Sequence, residues 1–315
     1  MAARIFTCHH LVPENVFRPN RLFSMLISGV LTDEQAGYIG DLDADNIAGQ
    51  NVYSEMRHQY FVWRNLLGRY DYVGFEHYRR VFFIDPQAPE IARAADPQRW
   101  WWRAYFAANQ HIAYSDTSGD HIEAYLNYRA GFDIGACRAV EDWLSSHDII
   151  VQRSFMHEGV EQQWKGCQPP EMWNVIAAAV REALAASGSG CDIDTGVASG
   201  FFNNMYIMRS EIFDQYMKFY MHCAELILQR APSYQRMLGH CGERIFSLWL
   251  FQQQLNDPLL RVHHHPFLHS SHSLVPNLPG NFSVGADVSS GIEVPTSPKR
   301  GRAPRGRLTS QTPRT

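Results

Sequence analysis

The chain has 315 residues, 45% of them hydrophobic and 19% charged, with a formal net charge of -4, a composition that suits a globular protein with a sizeable buried core. Nucleic acid is not expected as a partner of the body, because polyanion binding normally shows as a Lys/Arg excess gathered on one face. The six cysteines (Cys8, Cys137, Cys167, Cys191, Cys223 and Cys241) form no C-x-x-C pair, so neither a disulfide framework nor a zinc ribbon is expected and a reducing cytoplasm fits. The start of the chain has no apolar run of signal-peptide length. Arg181 and Glu182 interrupt the most hydrophobic helix candidate, so neither secretion by that route nor a membrane span is expected.

In chain order, ARIFTCHH reads as a first strand emptying into a loop at its carboxyl end, where open α/β sheets bind ligands. Thr7 and His9 are therefore donor-site candidates. After an irregular Gly/Asp-rich stretch, Met56, Tyr60, Trp63 and Leu67 recur at helical spacing, with Asn51 or Ser54 as the expected cap. YDYVGFEHYRRVFF follows as a buried strand that exits into a charged turn. RWWWRAYFAANQ and DHIEAYLNYRAGFDIGACRAVEDWLSSH read as helices, and HDIIVQRS as a short strand. SGFFNNMYIMRSEIFDQYMKFYMHCAELILQR reads as a strand and a long helix, and GHCGERIFSLWLFQQQL as a further helix. This alternation predicts a layered α/β sheet. From about residue 285 aromatic residues vanish and Ser, Pro, Gly, Thr and Arg dominate, so a domain over 1–284 and a disordered basic tail over 285–315 are expected.

Four ionisable residues, Glu76, His77, Arg79 and Arg80, crowd the end of the YDYVGF strand. Adjacent arginines in a cleft can hold a diphosphate and stabilise it as a leaving group. The competing account is an edge strand whose charges pair internally. Asn203 and Asn204 precede a later strand, and amides suit sugar hydroxyls, although a polar turn explains them equally well. Only one of two adjacent strand positions can face a given pocket. Glu243 could act as general base toward an acceptor hydroxyl, with Arg244 keeping it ionised or contacting phosphate; otherwise it merely complements a helix dipole in the first turn. The run RVHHHPFLHSSHS, with His263, His264, His265, His269 and His272, lacks a metal-binding helix spacing and reads rather as a polar loop near the site. Trp100, Trp101 and Trp102 read as core or interface more than as a sugar platform.

At these residues the sequence resembles the bacterial capsular and exopolysaccharide glycosyltransferases known as domain of unknown function 4422, which include galactofuranosyltransferase-like members. The resemblance rests on an ordered series of motifs: Asp45, Asn46, Ile47, Asn51, Glu55, Trp63 and Asn65; then His77, Tyr78, Arg79 and Arg80; then NNMYIMRSEIFDQYMKF and GERIFSLWL. Together they cover most of residues 1 to 275. Departures are Ser54, where a cysteine often precedes the glutamate, and the insertion GSGCDIDTGVASG. The resemblance implies a single glycosyltransferase A-type, Rossmann-like α/β domain. Its nucleotide-diphosphate sugar, UDP-linked galactofuranose or galactose as first choice, would sit at the carboxyl ends of the first strands. Glu243 would be the catalytic base, with Asp45 and Glu55 as rivals, and Thr7, His9, Asn46, His77, Arg79, Arg80, Asn203, Asn204 and Arg244 would bind the donor.

Metal-dependent enzymes of that fold carry an Asp-x-Asp where this chain has Glu-His-Tyr-Arg, so Arg79 and Arg80 are expected to replace the cation. The alternative gathers Glu76 or His77 with a histidine of the 263–265 run around Mn²⁺ or Mg²⁺. The acceptor is expected to be a saccharide or a lipid-linked sugar, and the basic tail reads equally as a solvated segment without function or as a peripheral tether to an anionic membrane at the inner face. A non-catalytic sugar-nucleotide or carbohydrate-binding module and a His-dependent metallohydrolase are the competing functional classes.

Overall fold

The computed structural model describes residues 1–87, 106, 109, 114–154, 159–188, 193–196 and 200–270. The Trp100–Trp102 run, His272, Cys191, much of the Gly/Ser-rich insertion and the tail with its boundary lie outside the described residues. Among the described residues ten strands form one sheet: β1 (Ala3–His9), β2 (Phe23–Ile27), β3 (Tyr38–Gly40), β4 (Tyr72–His77), β5 (Arg80–Phe82), β6 (Tyr114–Asp116), β7 (Ile149–Gln152), β8 (Tyr206–Arg209), β9 (Val262–His265) and β10 (Phe267–His269). Strands β3, β2, β1 and β4 are parallel neighbours, so their carboxyl ends line up on one edge.

Beyond β4 the sheet forks. Antiparallel β8 pairs with Tyr72–Phe75, and β5 pairs with β4 only through His77 and Arg80. The reading of YDYVGFEHYRRVFF as one strand with a charged exit thus becomes a hairpin, with its turn at Tyr78 and Arg79. The two branches are rejoined by the histidine run, which is two short strands and not a loop: β9 pairs with β7, and β10 pairs with β5 and β6. Pro266 separates them, since it has no N–H for a ladder.

Seven helices cover the sheet among the described residues: α1 (Met56–Asn65), α2 (Gly119–Ala130), α3 (Ile134–Ser145), α4 (Val160–Cys167), α5 (Met172–Ala186), α6 (Ser210–Arg230) and α7 (Met237–Asn256). The stretch from Asp120 to His147 is two helices rather than one, because Asp133 breaks in as an N-cap accepting from the Ala136 N–H. Alternating strand residues feed two cores. Phe6, Val73 and Phe75 join the core packed by α1 and α4–α7, whereas Ile5, Phe23 and Tyr72 join that packed by α2 and α3. The result is a mixed α/β fold with a central sheet. Among the described residues no helix is long and apolar enough to cross a membrane.

Candidate active site

Alternation along β4 sends Glu76 and His77 to opposite faces. Glu76 is buried and accepts both forks of the Arg129 guanidinium from α2, with Thr7 Oγ1 at 2.9 Å and the Phe82 N–H at 3.1 Å. Arg129 in turn lies over the Phe23 ring, 4.2 Å from its centroid. This buried pair locks β5 against β4, and breaking one side of such a pair typically costs about 3–5 kcal/mol. Thr7 and Glu76 therefore belong to the scaffold under the site. Internal pairing, the competing account of the charged strand end, holds for Glu76.

His77 points the other way, into a cavity of about 310 Å³ lined also by Glu55, Arg79, Arg80, Gln163, Asn203, Arg236, His240, Glu243 and Arg244. Arg80 is partly buried; burial and the adjacent Arg79 charge depress its proton affinity, while Glu243 and Glu55 offset this. Among the described residues no hydrogen bond or ion pair engages the Arg80 side chain. Its nitrogens are open to the cavity, where an anionic ligand can take the place of water. Arg79 stacks over Tyr78, 5.2 Å from the ring centroid.

The opposite wall is built by α7 and the Asn-Asn turn. Asn203 and Asn204 both lie in the left-handed region, with φ of 77° and 51°, where asparagine is among the residues best tolerated. They precede β8 as a turn, and turn geometry, not strand alternation, divides their roles. Asn203 lines the cavity and donates from its backbone N–H to Glu243 Oε1 at 2.7 Å and from its amide to Gln152 at 3.0 Å. Asn204 is buried and donates to the Gly239 carbonyl. The carboxylate of Glu243 also pairs with Arg244, whose guanidinium is held by Gln163 and the His240 carbonyl and lies between the Trp164 and Phe202 rings. Arg244 is thus committed to protein partners and supports Glu243.

Helix α7 begins at Met237, so Glu243 is well past the first turn, and the account of it as a simple dipole complement is corrected. The glycines before it have a physical role. A Cβ on Gly239 would stand 2.6 Å from the Ser54 Cβ, and one on Gly242 would meet Asn204 Oδ1 and the Met56 sulfur at 3.1 Å. Only bare backbone lets α7 come this close to the start of α1. Ser54 is no helix cap: with φ of 49° it follows the 3₁₀ turn Asn51–Tyr53, and its hydroxyl accepts from Arg236 Nε at 3.2 Å.

Several candidates lie elsewhere. Asp45 is half exposed, pairing with Arg64 at 2.9 Å and accepting from the Tyr60 hydroxyl. Asn46 closes a local turn through the Ala44 carbonyl and the Ala48 N–H. Neither lines the cavity that gathers Arg79, Arg80 and Glu243. His9 is buried beside Tyr78 and borders a neighbouring cavity of about 320 Å³; burial, with His58 and His10, pushes its pKa down to about 3. A larger cavity of about 510 Å³ sits by Arg4, Tyr38 and Asn65 and contains none of the candidate catalytic or donor-binding residues.

His10, Gln152, Gln163, Arg236 and His240 join the site without having been singled out in the sequence, since none stands in a patterned motif. The Nε2 atoms of His10 and His77 stand 3.7 and 3.8 Å from Glu55 Oε1, and the three potential ligand atoms lie within 4.8 Å of one another. Two imidazoles and a carboxylate are donors that a divalent cation accepts, but His77 and Glu55 are already engaged by protein groups. A metal-bound imidazole donates through its other nitrogen, yet Nδ1 of His77 accepts from the Arg79 N–H at 3.4 Å, which leaves the proton on the nitrogen that faces Glu55. Burial pushes the His77 pKa down to about 2, with the Arg80 and Arg79 charges acting in the same direction. Glu55 Oε1 already holds Arg236 at 3.0 Å. Burial by itself would raise the Glu55 carboxyl, but hydrogen bonds from His10 and Ser54 and the Arg236 charge hold it far below the usual carboxylate range. In the alternative metal set, Glu76 is taken by Arg129, and His263 and His265 pack on Trp143, with His265 donating to the Phe83 carbonyl at 2.8 Å.

Comparison with known proteins places this architecture. One solved structure with the same fold is described as the apo form of a bifunctional glycosyltransferase, WbbM, with a TM-score of 0.61 and 20% sequence identity. The match covers 86% of this chain and 46% of that one, so the chain spans about half the length of the solved protein. No curated protein matches the chain. A family model described as "Domain of unknown function (DUF4422)" matches residues 4–254, and the chain therefore belongs to the DUF4422 family.

Proposed function

We propose that the protein is a glycosyltransferase of glycosyltransferase A type that moves a hexose from a nucleoside-diphosphate sugar to a saccharide or lipid-linked acceptor in surface-polysaccharide synthesis. The observation that carries this reading is Arg80: a partly buried guanidinium with no hydrogen-bond or ion-pair partner among the described residues, beside Arg79, at the carboxyl end of a central parallel strand and facing two carboxylates. Ligands of open α/β sheets bind at that edge, and a diphosphate is the anion an arginine fork matches. The likeness to a glycosyltransferase fold and the family membership agree with it.

In this reading Glu243 takes the proton of the acceptor hydroxyl as its oxygen attacks the anomeric carbon. The bond from that carbon to the diphosphate oxygen breaks, and the electron pair leaves with the nucleoside diphosphate. Arg79 and Arg80 stabilise the growing charge in place of a divalent cation. The Asn203 N–H and Arg244 orient Glu243. Glu55 suits the base role less, because a carboxylate held so far toward its ionised form is a weak proton acceptor. UDP-linked galactofuranose and galactose are the first donors to test.

The test incubates chelator-treated protein with a panel of sugar nucleotides and saccharide acceptors and follows release of nucleoside diphosphate and formation of product. Transfer from one donor, abolished or strongly reduced in Arg80→Ala, supports the proposal. Tight donor binding with neither transfer nor hydrolysis would make the chain a binding module instead.

A further inference from the structure

The 310 Å³ cavity does not end at Arg80. It shares Arg236 with a second cavity of about 210 Å³ lined by His10, Asn51, Ser54 and Arg57. Arg236 immediately precedes α7 in the left-handed region, with φ of 65°, a conformation that a non-glycine residue holds only when its surroundings impose it. Those surroundings are the bond from the Arg236 N–H to the Asn51 carbonyl and the contacts of its guanidinium with Ser54 and Glu55. The two partners of this ion pair differ in freedom. The Glu55 side chain is 14% exposed, while that of Arg236 is 52% exposed, so the arginine is the partner able to leave. An ion pair with one exposed member contributes little to stability, and a diphosphate carries more charge than one carboxylate.

We infer that Arg236 is a third phosphate-binding cation of the donor site, parked on Glu55 and handed over to an incoming diphosphate. The inference rests on the proposed donor site and adds a residue and a counter-ion to it. Glu55 is then the competitor that the ligand displaces from Arg236, and the left-handed start of α7 fixes the stem from which the guanidinium swings between the two cavities.

The experiment titrates inorganic pyrophosphate and UDP calorimetrically into the full chain, into Arg236→Gln, into Glu55→Gln and into the double variant, with Arg80→Ala as reference. Arg236→Gln keeps an amide for Ser54 and Glu55, so the melting temperature reports whether the fold survives. The expected result is a loss of about tenfold in affinity for Arg236→Gln, as for one charge-assisted contact. Glu55→Gln should tighten binding several-fold, and that gain should vanish in the Arg236→Gln background. Unchanged affinity in folded Arg236→Gln overturns the inference, as does a Glu55→Gln gain of equal size in both backgrounds, which would reflect net charge alone. If Arg80→Ala also binds at full strength, the donor site itself is misplaced; if only Arg236→Gln does, the donor site stands and the handover falls.

Discussion

At the scale of single residues the site divides into groups already satisfied by the protein and groups that are not. Glu76, Thr7 and Arg244 have their partners within the fold, whereas Arg80 faces open cavity. Glu243 sits between these classes: two donors hold it, yet it lines the cavity. Replacing it by Gln keeps an acceptor for the Asn203 N–H and removes proton-accepting ability, so turnover is expected to fall by about 10²-fold or more with donor affinity within about threefold of the wild type. Steady-state kinetics with a donor titration checks this, and unchanged turnover would take Glu243 out of the base role. The cluster around His77, Arg79 and Arg80 was legible in the sequence because ionisable residues seldom end an apolar strand without a reason. Arg236 was not. Its place depends on a left-handed residue next to two helical glycines, and the chain segments it joins are about 180 positions apart.

At the scale of elements the decisive contact is the approach of α7 to the beginning of α1. Gly239→Ala would press its Cβ against that of Ser54, and the strain of an overpacked contact, about 1–3 kcal/mol, outweighs the roughly 1 kcal/mol by which Ala favours a helix over Gly. A drop of several degrees in melting temperature is expected, together with weaker activity as Glu243 shifts. Gly166→Ala in α4 has open space at its Cβ and is expected to be neutral or stabilising, so thermal melts of the pair separate packing from propensity. Periodicity found the long helices and β1, β4, β7 and β8, since each has a patterned or apolar run of its own. It merged α2 with α3 and read β9 and β10 as a loop. A polar histidine run becomes strand only because β7, β5 and β6 offer it edges, and no local pattern records that.

For the whole molecule, neutral buried histidines set the response to acid. His9, His58, His77 and His265 are buried. Burial, the largest cause in each case, pushes their pKa values down to about 3, 4, 2 and 3. The unfolded chain takes up these protons near pH 6.5 and the folded chain does not, so the unfolded state binds more protons at pH 5 and stability rises with pH through this range. Melting temperature is therefore expected to fall steadily from pH 7 to pH 4.5, with roughly two or more protons taken up per unfolding event near pH 5. A flat profile between those limits would show that these rings are not held neutral. The acid loss is a property of the scaffold, and it limits the window in which turnover can be measured.

The central claim is that the cavity beside Arg79 and Arg80 holds the diphosphate of a sugar nucleotide. Its most direct test is calorimetric binding of UDP and a panel of sugar nucleotides to chelator-treated wild-type protein and to Arg80→Ala. The account predicts saturable binding of at least one of them by the wild type and an affinity about 10- to 100-fold weaker in a variant that melts at the wild-type temperature. Equal affinity in the two proteins, or no binding of any nucleoside diphosphate or sugar nucleotide at millimolar concentration, would contradict it.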